Sequence, residues 1–366
     1  MANSDLVALI LPEERWETSG VPPKKIPKPA VFFGGAYRPI DFALSNCKHS
    51  GIGITGVVTR CANRELTDYI GSGQEWLPAR EGSKITTFPL NIWDGTPEFY
   101  PGTADLIWNN YEFIESYNPE NILVISGDHI CKMDYSVMLK KHNYSEAAVT
   151  IAASTVPWEK TPHFGIISAD ESGTVVSFEE KPLKPKSNLA SMDVYIFNWE
   201  TLKNHLFIRS IEFDSSMDIN RDIIPQMLMC GEKVAVYRFG GYWKNVGDNY
   251  SLWEANMELL SDSPDIDLPD ETWKVITRND KIMLRYKNYL SLHKHIENSL
   301  VAVGVKNKGV VVNSIVSAGV KIEKGASVVD SVIMPGAKIG KRARIAKTVI
   351  ETDSIVEDNT NIFNRF

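Results

Sequence analysis

The chain has 366 residues, 43% of them hydrophobic and 23% charged, with a net charge of −7. That length predicts two domains, no apolar run is long enough to cross a membrane, and the acidic balance argues against nucleic acid as the main partner. Cys47, Cys61, Cys131 and Cys230 follow neither metal-ligand nor disulfide spacing, and residues 1–5 do not open a signal peptide. A reduced, cytoplasmic protein is therefore expected.

In chain order, Leu6–Leu11, Gly53–Thr59, Asn121–Ser126 and Ala147–Ala153 are short apolar runs that predict buried strands. Between them, Leu106, Ile107, Phe113 and Ile114 recur at helical spacing and predict a helix over Asp105–Ser116. Strand alternating with helix implies an α/β domain with a mostly parallel, Rossmann-like sheet over residues 1–260. Ligands of such sheets bind beyond the carboxyl ends of the strands, which points to the loops after Leu11 and Ser126.

A composition break follows. Asp262, Asp265, Asp267, Asp270 and Glu271, punctuated by Pro264 and Pro269, read as a solvated linker or docking strap within 261–298. Over 299–366 apolar residues recur about every six positions, at Ile322, Val328, Ile333, Ile339, Ile345, Ile350 and Ile355, with slips from six to five. Gly319, Gly325, Gly336 and Gly340 punctuate them, and the pattern implies the stacked rungs of a left-handed parallel β-helix. Acyltransferases built on such coils need a base, commonly histidine, and none follows His295. The coil is therefore read as an assembly domain.

Seven stretches carry chemistry: Lys28-Pro-Ala-Val-Phe-Phe-Gly-Gly35, Tyr37-Arg-Pro-Ile-Asp-Phe-Ala-Leu-Ser-Asn46, Gly102-Thr-Ala-Asp105, Ser126-Gly-Asp-His-Ile-Cys-Lys-Met-Asp-Tyr135, Phe178-Glu-Glu-Lys-Pro182, Ser187-Asn-Leu-Ala-Ser-Met192 and Gly241-Tyr-Trp-Lys-Asn-Val-Gly247. In number and order they resemble ADP-glucose pyrophosphorylase (glucose-1-phosphate adenylyltransferase) across nearly the whole chain. Adenylyl transfer joins two anions, so cations must neutralise the phosphates. The resemblance gives Lys181 the phosphate of glucose 1-phosphate, Glu180 the sugar hydroxyls, and Tyr100, Gly165 and Ser191 positions around the same sugar. It makes Asp128 a ligand of Mg²⁺, a hard cation that prefers oxygen donors, and places Lys28 near the transferring phosphates. Asp134 and His129 read as structural, and Lys24 and Lys25 as mainly solvated.

Two segments depart from the family pattern. Where it has the glycine-rich Ala-Gly-Gly-x-Gly-x-Arg-Leu loop for the nucleotide phosphates, this chain reads Pro12-Glu-Glu-Arg-Trp-Glu-Thr-Ser19. Pro12 removes a backbone donor. Glu13, Glu14 and Trp16 stand for glycines whose backbone must approach the phosphates closely, and Thr18 for the arginine. A carboxylate ~4 Å from a phosphate costs about 1 kcal/mol even in bulk-water dielectric. The second metal carboxylate of the family's Trp-x-Asp-Val-Gly is here Asn245, with Asp248 three residues on, and Arg60 replaces a family glutamine. The resemblance therefore implies a degenerate, regulatory subunit of the enzyme of glycogen biosynthesis. It would hold a sugar phosphate such as glucose 1-phosphate, bind Mg²⁺ weakly or not at all, and assemble with a catalytic paralogous subunit in a mixed tetramer. The alternatives are an active adenylyltransferase with an atypical loop and a stand-alone sugar-phosphate sensor.

Overall fold

The computed structural model describes residues 6–12, 28–60, 64–90, 102–211, 216–279, 283–286 and 295–365. These fall into two compact units that interleave along the chain: one drawn from 1–27, 43–127 and 132–243, the other from 28–42, 128–131 and 244–366. No helix among the described residues is long and apolar enough to cross a membrane.

The first unit is built on a mixed sheet. Its strands are β1 (Leu6–Leu11), β2 (Ile54–Arg60), β3 (Lys84–Leu90), β4 (Asn121–Ser126), β6 (Val149–Thr155), β7 (Gly165–Ala169), β8 (Val175–Glu180), β9 (Leu189–Asn198) and β10 (Val234–Arg238); β5 (His129–Cys131) lies outside it. The order is β10-β6-β9-β4-β1-β2-β3, with β7 and β8 attached beside β9. β1 pairs in parallel with both β2 and β4, whereas β9 runs antiparallel to β4 and β6. All six residues of β1 and of β4 are buried, as a strand covered on both faces requires. Leu11 lies level with Ser126, and the amide of Gly127 donates to the Leu11 carbonyl at 2.9 Å. The two central strands therefore end together.

The helix expected over Asp105–Ser116 is two short helices, Thr103–Trp108 and Tyr111–Glu115. Asparagine side chains compete for backbone partners, and here Asn110 Nδ2 donates to the Leu106 carbonyl at 2.8 Å while Asn109 Nδ2 donates to Asp105 Oδ2 at 3.0 Å. The apolar spacing survives the break, since Leu106, Ile107 and Ile114 are all buried.

The helix Tyr135–Ser145 is capped by Asp134, whose carboxylate accepts from the Ser136 amide at 2.8 Å. Its His142 is buried, with Nε2 3.1 Å from Asn121 Oδ1 and Nδ1 2.9 Å from Thr150 Oγ1. An amide oxygen only accepts, so Nε2 carries the hydrogen and Nδ1 accepts from the threonine hydroxyl. Burial pushes the imidazole pKa down from 6.5 to about 4. Between those values the unfolded chain binds a proton that the folded one does not, so stability falls as pH drops through that window. We expect the loss to be roughly 2 kcal/mol. Urea midpoints at pH 7 and 4.5 should differ less for His142→Gln than for the parent, and equal differences would remove His142 as the cause.

The second unit carries the coil. Three sheets of stacked parallel strands run through it, one of them edged by the antiparallel strand Met283–Tyr286, with Ile296–Glu297, Val310–Val312, Ser327–Val329, Arg344–Ala346 and Asn361–Phe363 stacked on one side. Register partners are offset by 15 residues at the first rung and by 17 at each later one: Ile296↔Val311↔Val328↔Ile345↔Ile362. Seventeen is one short of three hexapeptides, which accounts for the slips from six to five. It also corrects one position: Val356 pairs with Ile339 and is 7% exposed, while Ile355, expected inside, is 65% exposed.

Corners repeat with the same offset. Asn298, Asn313, Asp330, Lys347 and Asn364 all have positive φ, and Asn298 Nδ2 donates to Asn313 Oδ1 at 2.9 Å while Asn313 Nδ2 donates to Asp330 Oδ1 at 2.6 Å. Beside them runs a buried hydroxyl column of Ser299, Ser314, Ser331 and Thr348. The amide of Ser314 donates to Ser299 Oγ at 3.0 Å and that of Ser331 to Ser314 Oγ at 3.1 Å. The column gives turn amides partners inside the coil.

Candidate active site

Two groups of site residues belong to the two units. In the second unit, Asp128, immediately before β5, is 0% exposed. β11 (Trp243–Asn245) pairs with β5, and the Val246 amide donates to the Asp128 carbonyl at 3.1 Å. This pairing brings the Ser-Gly-Asp-His and Trp-Lys-Asn-Val-Gly segments together. A Cβ placed on Gly247 would lie 2.7 Å from Asn245 Oδ1, 3.2 Å from Lys28 Nζ and 3.3 Å from Asp128 Oδ2. Those three polar groups therefore converge on one point, which the missing side chain leaves open.

The Asn245 amide is used inside this cluster. Its Oδ1 accepts from the Gly247 N–H at 2.7 Å, which assigns Nδ2 as the group 3.3 Å from His129 Nε2. The same ring nitrogen is 3.5 Å from Asp128 Oδ1. His129 Nε2 thus lies between the Asn245 amide nitrogen and the Asp128 carboxylate. Asp248 does not supply the missing carboxylate. It caps the helix Asn249–Glu258, with Oδ1 accepting from the Ser251 amide at 2.8 Å and Oδ2 from the Ser251 hydroxyl at 2.9 Å. Mg²⁺ is held by hard oxygen donors, usually one or two carboxylates together with substrate phosphates. Here one carboxylate faces an amide whose oxygen is taken by a backbone N–H, and no three His, Cys, Asp or Glu side chains among the described residues group as a metal site. This point therefore offers one carboxylate, Asp128, and one amide, Asn245.

In the first unit, Gly165 opens β7 opposite Glu180, which closes β8. A Cβ on Gly165 would meet the Phe178 ring at 2.5 Å and Glu180 Oε2 at 3.2 Å, so the glycine makes room for both. Lys181 follows with φ 49°, its amide donating to the Phe164 carbonyl at 3.0 Å, and its side chain is exposed. Ser191, on β9, is 1% exposed. Its Oγ accepts from the Asp193 amide at 3.2 Å and lies 3.3 Å from the Tyr195 hydroxyl. Tyr195 is held well above the usual phenol range by burial and by the neighbouring Asp193 carboxylate.

Pro12 is buried directly after β1. Glu13, Glu14, Trp16, Thr18, Lys24, Lys25 and Tyr100, and the side chain of Arg60, lie outside the described residues. The sequence did not single out Asp193, Tyr195 or Gly247. A polar Asp-x-Tyr in an otherwise apolar strand was the one available sign of the first two.

Residues 23–262 match the nucleotidyl transferase family and residues 287–364 the GlmU-like C-terminal hexapeptide family. The chain is 42% identical over 362 residues to a glucose-1-phosphate adenylyltransferase of Desulforamulus reducens, spanning 99% of this chain and 90% of that one. It belongs to the glucose-1-phosphate adenylyltransferase family. The corresponding protein of Bacillus mycoides is 42% identical over 97% of this chain and 94% of its own, and that of Acetivibrio thermocellus 39% over 99% and 80%. The Asp128 and Asn245 segments and the Gly165, Glu180, Lys181 and Ser191 positions all lie within the nucleotidyl transferase match.

Proposed function

We propose that this chain is the regulatory, non-catalytic subunit of a cytoplasmic glucose-1-phosphate adenylyltransferase in glycogen biosynthesis, joined to a catalytic paralogue in a mixed tetramer. The observation that carries the reading is Asn245, whose amide oxygen is committed to the Gly247 N–H at the place where the resemblance puts a second metal carboxylate. Adenylyl transfer moves negative charge between two polyanions, and a site short of a metal-holding carboxylate stabilises that charge poorly. The sequence after β1 supports the same conclusion. Pro12, Glu13, Glu14 and Trp16 offer neither glycine amides nor positive charge to a triphosphate.

Lys181 and Glu180 support retention of a sugar phosphate, with the ammonium for the phosphate and the carboxylate for hydroxyls. Holding that ligand biases this subunit's conformation, and a differential bias is what a partner subunit would register.

The test is pyrophosphate release from ATP, glucose 1-phosphate and Mg²⁺, by the chain alone and mixed with an active member of the family from the same source. The expected outcome is none alone and a changed velocity or substrate affinity in the mixture. Turnover by the isolated chain would establish instead an active enzyme with an atypical loop. Sugar-phosphate binding without any effect on the mixture would favour a stand-alone sensor.

A further inference from the structure

One face of the coil is basic and bare. Neighbouring residues of a strand point to opposite faces, so in a two-residue strand one side chain enters the coil and the other leaves it. In the sheet of Lys306–Asn307, Lys321–Ile322, Lys338–Ile339 and Ile355–Val356, the residues in outward register are Lys306, Lys321, Lys338 and Ile355. All four are exposed. The sheet that carries Ile315–Val316 and Val332–Ile333 is covered instead, since both residues of each of those strands are buried. Stacked strands lie about 4.7–4.9 Å apart, so the three ammonium groups stand one rung above another. Like charges directly opposite each other destabilise a sheet, and no carboxylate among the described residues pairs with any of the three. Lys324 and Lys341, exposed on the turns that follow, extend the basic face, whereas Lys308 is paired with Glu323 at 3.3 Å.

The complement of this face lies in the same unit. The chain has a net charge of −7, and the strap after the helix Asn249–Glu258 concentrates acids at Asp262, Asp265, Asp267, Asp270 and Glu271. Apolar residues pin the strap to its own unit. Ile266 is buried, and a Cβ on Gly34 would meet Leu268 Cδ1 at 3.3 Å. Asp265 and Asp267, on either side of Ile266, are exposed, as are Asp262 and Glu271. No cation among the described residues pairs with Asp262 or Asp265. The strap therefore holds its backbone down and its carboxylates out, and within one chain it does not reach the lysine column.

We propose that the column Lys306, Lys321 and Lys338 docks the acidic strap, residues 262–271, of a second copy of this chain. A two-fold axis between the copies sets each strap on the other's column and closes the pair. A single exposed ion pair holds little. Several acting together across one face fix the register of two partners and give a contact that salt weakens. The surface is separate from the groups around Asp128 and Lys181 and does not depend on the regulatory reading above.

Sedimentation velocity of the full chain reads the contact. The parent is expected to self-associate in about 50 mM NaCl, and about tenfold or more weakly in about 500 mM. Lys321→Glu with Lys338→Glu should weaken association in low salt at least about tenfold, because like charges then face each other. Asp262→Lys with Asp265→Lys should do the same. An equimolar mixture of the two double variants should recover association, since each reversed column then meets a reversed strap and each parental column a parental strap. All four side chains are exposed, so the melting temperatures should stay at that of the parent. Should either reversal melt lower, Lys321→Gln with Lys338→Gln removes the charge without reversing it and should still weaken association severalfold. A parent that stays monomeric in low salt, or association that neither reversal moves, would overturn the proposal. Weakening by the column reversal alone, without recovery in the mixture, would overturn the strap as the occupant.

Discussion

Ile345→Asp is expected to destabilise the coil by more than 4 kcal/mol. Ile345 is 1% exposed and stacked between Val328 and Ile362 in the same column. Losing the buried isoleucine costs about 2–5 kcal/mol, and an unpaired carboxylate in its place adds several more before the structure relaxes. Ile355→Asp provides the contrast. That side chain is exposed, so the change should stay within about 0.5 kcal/mol. Thermal and urea unfolding of the two variants checks the 17-residue register directly. If Ile355→Asp were the damaging one, the register would be wrong by one residue and every side chain on that strand would face the other way.

Lys181→Ala should weaken glucose 1-phosphate binding about tenfold to a hundredfold, the value of a charge-assisted hydrogen bond of 1.5–3 kcal/mol. The lysine is exposed and closes no core contact, so the melting temperature of the free chain should hardly move. Its backbone is held by the Phe164 carbonyl, and the substitution removes the charge without releasing the turn. In the mixed enzyme, the same variant should alter the partner's velocity or substrate affinity. Unchanged kinetics of the mixture would mean that sugar phosphate at Lys181 has no regulatory role.

Much of this was legible from the residues. Continuous apolar runs marked β1, β2, β4 and β6 to within one or two positions, because strands buried on both faces leave no polar alternation to confuse the reading. The coil was legible from its isoleucines, although a six-residue rule carried past a 17-residue turn put Ile355 where Val356 belongs. The helix over Asp105–Ser116 looked continuous because its apolar spacing is continuous, and the asparagine pair that divides it acts through hydrogen bonds that periodicity does not register. At the site, Asp128 and Asn245 were legible as chemistry. How Asn245 spends its oxygen was not, since it depends on a turn amide two residues on and a histidine 116 positions away.

The interleaving of the two units also bears on how the chain is made. The amide of Gly34 is bonded to Asn256, 222 positions later, and the carbonyl of Ala36 to Asn279. Chains emerge from the ribosome at about 5–20 residues per second, so residues 28–42 wait about 10 to 50 s for these partners. Through that interval their apolar residues, Phe33 and Ile40 among them, have no finished home. The second unit can therefore close only near the end of synthesis, after the sheet of the first has had time to form, and the long wait is a window in which a chaperone or an assembling subunit can meet the unfinished chain.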